Sequence, residues 1–167
     1  MLTQISVEGK LEPNEEDFLK LRNTLKIYRE VCNYISKIAY NEGCFNSVAL
    51  HHLTYKKVRM KYNLPANLAV RAREKVIAAY KRSRKKLLVF KSVSMDLDSR
   101  LLSISSNENV VVSITTINKR IKSKFVIEPS YKRFLKNPIV QAKLILRSNE
   151  FILIAKLRLK NTQNHIE

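Results

Sequence analysis

Glycine is almost missing from this chain: Gly9 and Gly43 are the only two in 167 residues. Loops that wrap the phosphates of a nucleotide need several, because the backbone must come close and adopt positive φ. Phosphate-cradling and dinucleotide-binding loops are therefore excluded, and with them ATPases and dehydrogenases; both glycines are expected at turn or cap positions. Cysteine is as scarce. Cys32 and Cys44 form no CxxC pair, so neither a zinc site nor a redox motif is expected, and both should be free thiols. No apolar run approaches the roughly 20 residues of a membrane-spanning helix, and the start lacks the charged-then-apolar pattern of a secretion signal. The expectation is a soluble, cytoplasmic protein without a membrane partner.

Acids are also few, 14 Asp and Glu against 32 Lys and Arg. A metal-dependent nuclease groups carboxylates around two cations about 4 Å apart. Asp96 and Asp98 alternate along a strand-like run and so face one side, but Glu108, Glu128 and Glu150 fall at loop or strand-end positions. His51 and His52 are adjacent, which on a helix points them about 100° apart, and no third ligand stands at metal-binding spacing. Their expected role is structural or backbone-contacting. Without a GxSxG elbow or a cysteine beside a plausible base, no catalytic residue, metal or cofactor is predicted, and the chain is not expected to be an enzyme.

What is present is positive charge, unevenly placed. The formal net charge is +18, a field that a polyanion would neutralise. Residues 1–54 carry net −1, residues 55–91 net +12 and residues 92–167 net +7. The central segment holds Lys56, Lys57, Arg59, Lys61, Arg71, Arg73, Lys75, Lys81, Arg82, Arg84, Lys85, Lys86 and Lys91 against the single acid Glu74. Tyr55, Tyr62, Tyr80 and Phe90 are interleaved with them, rings that can stack on unpaired bases while the cations meet phosphates. The run Tyr80-Lys81-Arg82-Ser83-Arg84-Lys85-Lys86 has five positive charges in seven residues, more than solubility requires. Beside Lys119, Arg120, Lys122 and Lys124 share one face of a regular strand and form a smaller basic set.

Periodicity changes character along the chain. Ile5, Val7, Lys10 and Leu11 read as a strand ending before Pro13. Asn14 then caps a helix whose apolar positions, Phe18, Leu21, Leu25, Tyr28, Cys32, Ile35 and Ala39, recur at spacings of 3 and 4 until Gly43. Further helices are predicted over 47–62 and 66–86, with Pro65 at the first turn of the latter. Afterwards β-branched, alternating segments predict strands over 87–90, 101–105, 110–117, 121–127, 139–146 and 151–159. A hairpin turn is expected at Arg147-Ser148-Asn149-Glu150 and a short helix over 130–136. The fold class is α+β: a β-barrel or curled sheet with its first strand in 1–13, a helical lobe inserted over 14–86, the remaining strands in 87–160 and a tail at 161–167.

Several stretches resemble the N-terminal half of the transposon-encoded TnpB (OrfB) proteins, RNA-guided endonucleases related to type V CRISPR nucleases. They are Leu50-His51-His52-Leu53-Thr54-Tyr55, the run from Asn63-Leu64-Pro65 to Arg71, Ala78-Ala79-Tyr80-Lys81, and Met95-Asp96-Leu97-Asp98 continuing to Ser103. Cys32-Asn33-Tyr34 and the final Ala155-Lys156-Leu157 are similar too, so the likeness is diffuse but collinear over nearly the whole chain. It implies a wedge domain, an oligonucleotide-binding-type β-barrel, interrupted by a helical recognition lobe. It also implies a structured, guide-type RNA as partner, with duplex DNA as a second. The RuvC-like half of that family, with its three carboxylates, has no counterpart in these residues, and neither do its zinc cysteines. The resemblance thus implies binding without cleavage. The alternatives are one half of a split nuclease whose RuvC-like half is a separate chain, and a truncated transposase-family remnant.

Overall fold

A computed structural model describes residues 3–160; the predicted tail at 161–167 lies outside the described residues, as do Met1 and Leu2. Strand β1 (Thr3–Glu12) buries Val7 and Leu11 and stops before Pro13. Helix α1 (Glu15–Glu42) begins where the Asn14 side chain accepts the Asp17 N–H at 2.8 Å, with three acids in its first turn facing the positive end of the helix dipole. It ends at Gly43, whose φ of 59° is the left-handed cap that glycine adopts at least cost. The predicted stripe is the buried one, from Leu21 through Tyr28 and Ile35 to Ala39, with Phe18 half-buried at its start.

Helix α2 (Ser47–Lys57) is capped by Asn46 and runs into a π-helical turn, Val58–Tyr62, which stops at Asn63 in a left-handed conformation. Helix α3 spans Ala66–Arg82, four residues shorter than the sequence predicts. Its buried Leu68, Ala69, Ala72, Val76 and Tyr80 pack toward α1, and the small Ala69 and Ala72 let the backbones approach.

The predicted strand at 87–90 is not one. Its alternation is real, with Leu88 and Phe90 turned toward the core and Leu87 and Val89 outward, but its backbone pairs with side chains of the helices instead of another strand. The Leu88 N–H donates to the Tyr80 hydroxyl and its carbonyl accepts from Ser36, while Asn33 takes both the N–H and the carbonyl of Phe90. Four good hydrogen bonds to α1 and α3 satisfy what a ladder would have satisfied.

Seven antiparallel strands form one sheet. After β1 come β2 (Met95–Leu97), β3 (Leu102–Ser106), β4 (Val110–Thr115), β5 (Arg120–Val126), β6 (Ile139–Arg147) and β7 (Glu150–Leu159), in the order β2-β6-β7-β1-β5-β4-β3. A 3₁₀ turn at Pro129–Phe134 stands where a short helix is predicted. The β6–β7 turn is the predicted one, with Ser148 and Asn149 at φ of 50° and 61°, the two positive values of a type I′ hairpin.

The sheet is curled, and two features require it. Strands β2 and β3 sit at opposite ends of the order, yet only residues 98–101 join them, with the Leu101 and Leu102 N–H groups both on the Asp98 carbonyl. A flat sheet of seven strands about 4.8 Å apart would hold its edges roughly 29 Å apart, beyond the ~18 Å that such a link can reach. Strand β1 also changes partners along its length, pairing β7 over Thr3–Lys10 and β5 over Lys10–Glu12. Gly9 marks that corner. It is neither a turn nor a cap, as the sequence suggested, but a point of close approach: a Cβ there would collide with the Val126 carbonyl oxygen and come within 2.7 Å of the Phe125 and Ile127 side chains.

Helices and sheet share one continuous core, in which Tyr28, Tyr80, Phe125 and Phe151 are the largest fully buried side chains. Phe18 of α1 meets Phe151 of β7 edge to face at 5.1 Å, and the Thr24 hydroxyl accepts the Ile117 N–H at 3.2 Å. None of the described helices is long and apolar enough to cross a membrane.

Candidate nucleic-acid interface

The densest exposed charge lies where α3 ends. Lys81 and Arg82 close the helix, and Arg84, Lys85 and Lys86 follow on the irregular segment; all five are exposed, and none has an ion-pair partner among the described residues. Arg84 is fixed rather than loose, its guanidinium 4.6 Å above the Phe45 ring, which in turn packs against Tyr80 at 5.0 Å.

A second set sits on the end of α2 and the π turn. Lys56, Lys57, Arg59 and Lys61 are exposed, and two of them cover tyrosines: Lys57 lies 5.3 Å from the Tyr34 ring centre and Lys61 5.2 Å from that of Tyr62, the two rings being 5.9 Å apart. Arg59 donates to the Leu64 carbonyl at 2.6 Å, tying the π turn to the start of α3. A base stacking here would have to displace a lysine that is already over the ring. Tyr55 is occupied as well, stacked on His51 at 4.6 Å.

The third set is on the sheet. Arg120, Lys122 and Lys124 alternate with buried Ile121, Ser123 and Phe125 and therefore do share one outer face, opposite Thr115, Ser113 and Val111 of β4. Arg120 is held by hydrogen bonds to Ser113, Thr115, Ser103 and the Arg100 carbonyl. Lys122 borders an open depression of about 510 Å³ lined by Ser103, Ser105, Val111 and Ser113, a hydroxyl-rich floor beside a cation. Lys124 reaches Glu12 only at 3.9 Å, both exposed, an interaction of small energy.

Four sequence-predicted site residues are not available in the same way. Arg71, Arg73 and Lys75 are half-buried and engaged. Arg71 and Lys75, one turn apart on α3, face Asp98 and Asp96 at 3.7 and 3.2 Å, and Arg73 bonds His51 Nδ1 at 2.7 Å with Glu74 nearby at 3.6 Å. They join α3 to β2 and α2. Tyr80 is fully buried, so it cannot stack on a base; its hydroxyl donates to Ser36 Oγ at 2.7 Å and accepts the Leu88 N–H at 3.1 Å. The spacing that makes a tyrosine look interleaved with cations is also the spacing of the apolar face of α3, and the apolar face claims it.

Titration follows these contacts. Partial burial works against ionisation of Asp98, but hydrogen bonds from the Arg100 side chain and backbone, with the charges of Arg100 and Arg71, hold its carboxyl below the usual range. Loss of solvent, then the charges of Arg73 and His52, lower His51, consistent with Nδ1 accepting from Arg73 in the neutral ring. Burial pushes the Cys32 thiol up to about 12, with Lys75 opposing. Asp96 and Asp98 share a side, but they face lysine and arginine. Among the described residues no three His, Cys, Asp or Glu are grouped to hold a metal.

Tyr34, beneath Lys57, and Phe45, beneath Arg84, are the interface residues that sequence reasoning passed over. Tyr34 lies off the apolar stripe of α1, and that offset was the signal available. In comparisons with known proteins, no family model matches the chain and no curated sequence matches it.

Proposed function

We propose that this chain is a nucleic-acid-binding module that holds a structured RNA, and beside it duplex DNA, in the manner of the wedge and recognition lobe of TnpB-like proteins, without nuclease activity of its own. On this reading the curled sheet is an oligonucleotide-binding-type barrel and α1–α3, which lie between β1 and β2 in the chain, are an inserted recognition lobe. The observation that carries it is the run Lys81, Arg82, Arg84, Lys85 and Lys86: five exposed cations with no ion-pair partner among the described residues. Exposed charges this close repel one another and are relieved by phosphates. The absence of cleavage rests on Asp96 and Asp98, which are neutralised by Lys75, Arg71 and Arg100 and so are poor metal ligands.

The test is to recover the nucleic acid that purifies with the protein, then to measure binding of the recovered RNA across a salt series for wild type and for the variant R82E/R84E/K85E/K86E. A single enriched structured RNA is expected. Removing up to four phosphate contacts should flatten the slope of log affinity against log salt by about 3 and weaken binding at least tenfold near physiological salt. Bulk RNA without enrichment, or a variant that binds as wild type does, would overturn the reading. A co-purifying carboxylate-rich chain that confers cleavage would move it to the split nuclease.

A further inference from the structure

On the other side of α1 from the interface sets lies a cleft that none of them uses. Arg22, Lys26 and Arg29 recur at spacings of 4 and 3 and so line one face of the helix. Lys91 stands on the opposite wall, and Leu25 and Val93 form the apolar base, with the end of β6 closing it. The Arg29 guanidinium donates to the Lys91 carbonyl at 3.1 Å, which fixes the two walls at their present separation. The volume is about 260 Å³, and no acid lines it.

Elsewhere on the molecule cations reach carboxylates: Lys20 meets Glu16 and Asp17, Lys10 meets Glu150, and Lys75 meets Asp96. Among the described residues none of these four cations has such a partner, although they converge on one opening. Four like charges around a half-apolar space are unfavourable unless an anion joins them, and arginine offers a planar fork that matches phosphate oxygens. The apolar base would be poor company for a bare ion but suits the face of a heterocycle. The space is smaller than the ~300–1,000 Å³ that drug-sized ligands fill, so it admits one such group and not a stacked pair.

We propose that this cleft takes a single unpaired nucleotide, its phosphate on Arg22, Lys26, Arg29 and Lys91 and its base against Leu25 and Val93. The inference rests on the proposed function only for the source of that nucleotide, a bound strand with one base turned out; the site itself is separate from the three basic sets.

The experiment uses the full chain, isotope-labelled, titrated with adenosine monophosphate and separately with inorganic phosphate, following backbone amide resonances. Adenosine monophosphate should shift amides of residues 22–29 and 91–93 and bind at least about fivefold tighter than phosphate, and K26E/K91E should weaken it about tenfold or more while resonance dispersion stays native. The milder pair K26A/K91A serves if the reversal disturbs folding, with a smaller loss expected. Equal affinity for phosphate would reduce the cleft to an ion site and overturn the proposal, as would shifts centred elsewhere or none at millimolar ligand. If the mononucleotide binds here while no RNA is held by the Lys81–Lys86 run, the proposed function fails and the cleft stands; if RNA is held and the mononucleotide is not, the cleft alone falls.

Discussion

Helix α3 and its exit carry two groups of cations, Arg71, Arg73 and Lys75 in one and Lys81, Arg82, Arg84, Lys85 and Lys86 in the other. In the amino-acid sequence they belong to one basic segment with one acid in it. In the fold the first group is half-buried against Asp96, Asp98, His51 and Glu74, and the second stands in solvent without a carboxylate nearby to pair it. Three of their four partners come from elsewhere in the chain: His51 lies about twenty residues before, and the two aspartates about as far after. Charge density along a chain therefore reports what must be neutralised; the long-range contacts decide which charges a partner is left to neutralise.

The contrast can be broken experimentally. The largest effect is expected from R82E/R84E/K85E/K86E, which should lose nucleic-acid affinity while its urea midpoint moves little, because exposed unpaired cations hold no core. The mirror-image change, K75A, should do the opposite. It leaves the buried side of Asp96, whose Oδ1 already has no hydrogen-bond partner among the described residues, with its carboxylate unopposed, at a cost of about 1–3 kcal/mol in stability. Its effect on RNA affinity should be no more than that of one lost charge. If K75A weakens binding as much as the quadruple change without destabilising the fold, the division between the groups is wrong.

Tyr80→Phe sharpens the same point. It keeps the ring and removes the hydroxyl that receives the Leu88 N–H, leaving that buried donor unsatisfied; a loss of about 1–2 kcal/mol is expected by denaturant unfolding, with binding unchanged. A stacking tyrosine would tolerate phenylalanine in stability and show its importance in affinity instead. The smallest effect concerns pH. His51 is held neutral in the folded protein, its pKa below the ordinary value near 6.5. Its contribution is therefore complete above the unfolded value and is lost as pH falls through the lower folded one. The urea midpoint should drop slightly from pH 7.5 to pH 5, and H51Q should lose that part of the dependence.

Much of the fold is legible in the residues. The stripe of α1 and its caps at Asn14 and Gly43, the I′ turn at Ser148-Asn149 and the shared face of Arg120, Lys122 and Lys124 each follow from local periodicity or turn chemistry. What was not legible depends on partners distant in sequence. The segment 87–90 has a strand's alternation, but Asn33, Ser36 and Tyr80 intercept its backbone. Gly9 looks like a turn until Val126 is brought against it. The cleft cations Arg22, Lys26 and Arg29 were visible as a helical stripe but lie in the segment whose net charge is negative, so a count by segment hides them.

The position of β1 bears on how the chain reaches this structure. Its residues Thr3–Lys10 pair with Ile152–Leu159, so the seam at the middle of the sheet joins positions about 150 residues apart. Contacts of that separation carry a large loop-closure cost and form late. The helices, whose contacts are nearer in sequence, can assemble while β1 still waits for β7. During synthesis the cation-rich helical segment would thus emerge, and meet any RNA at hand, before the sheet that completes the protein exists.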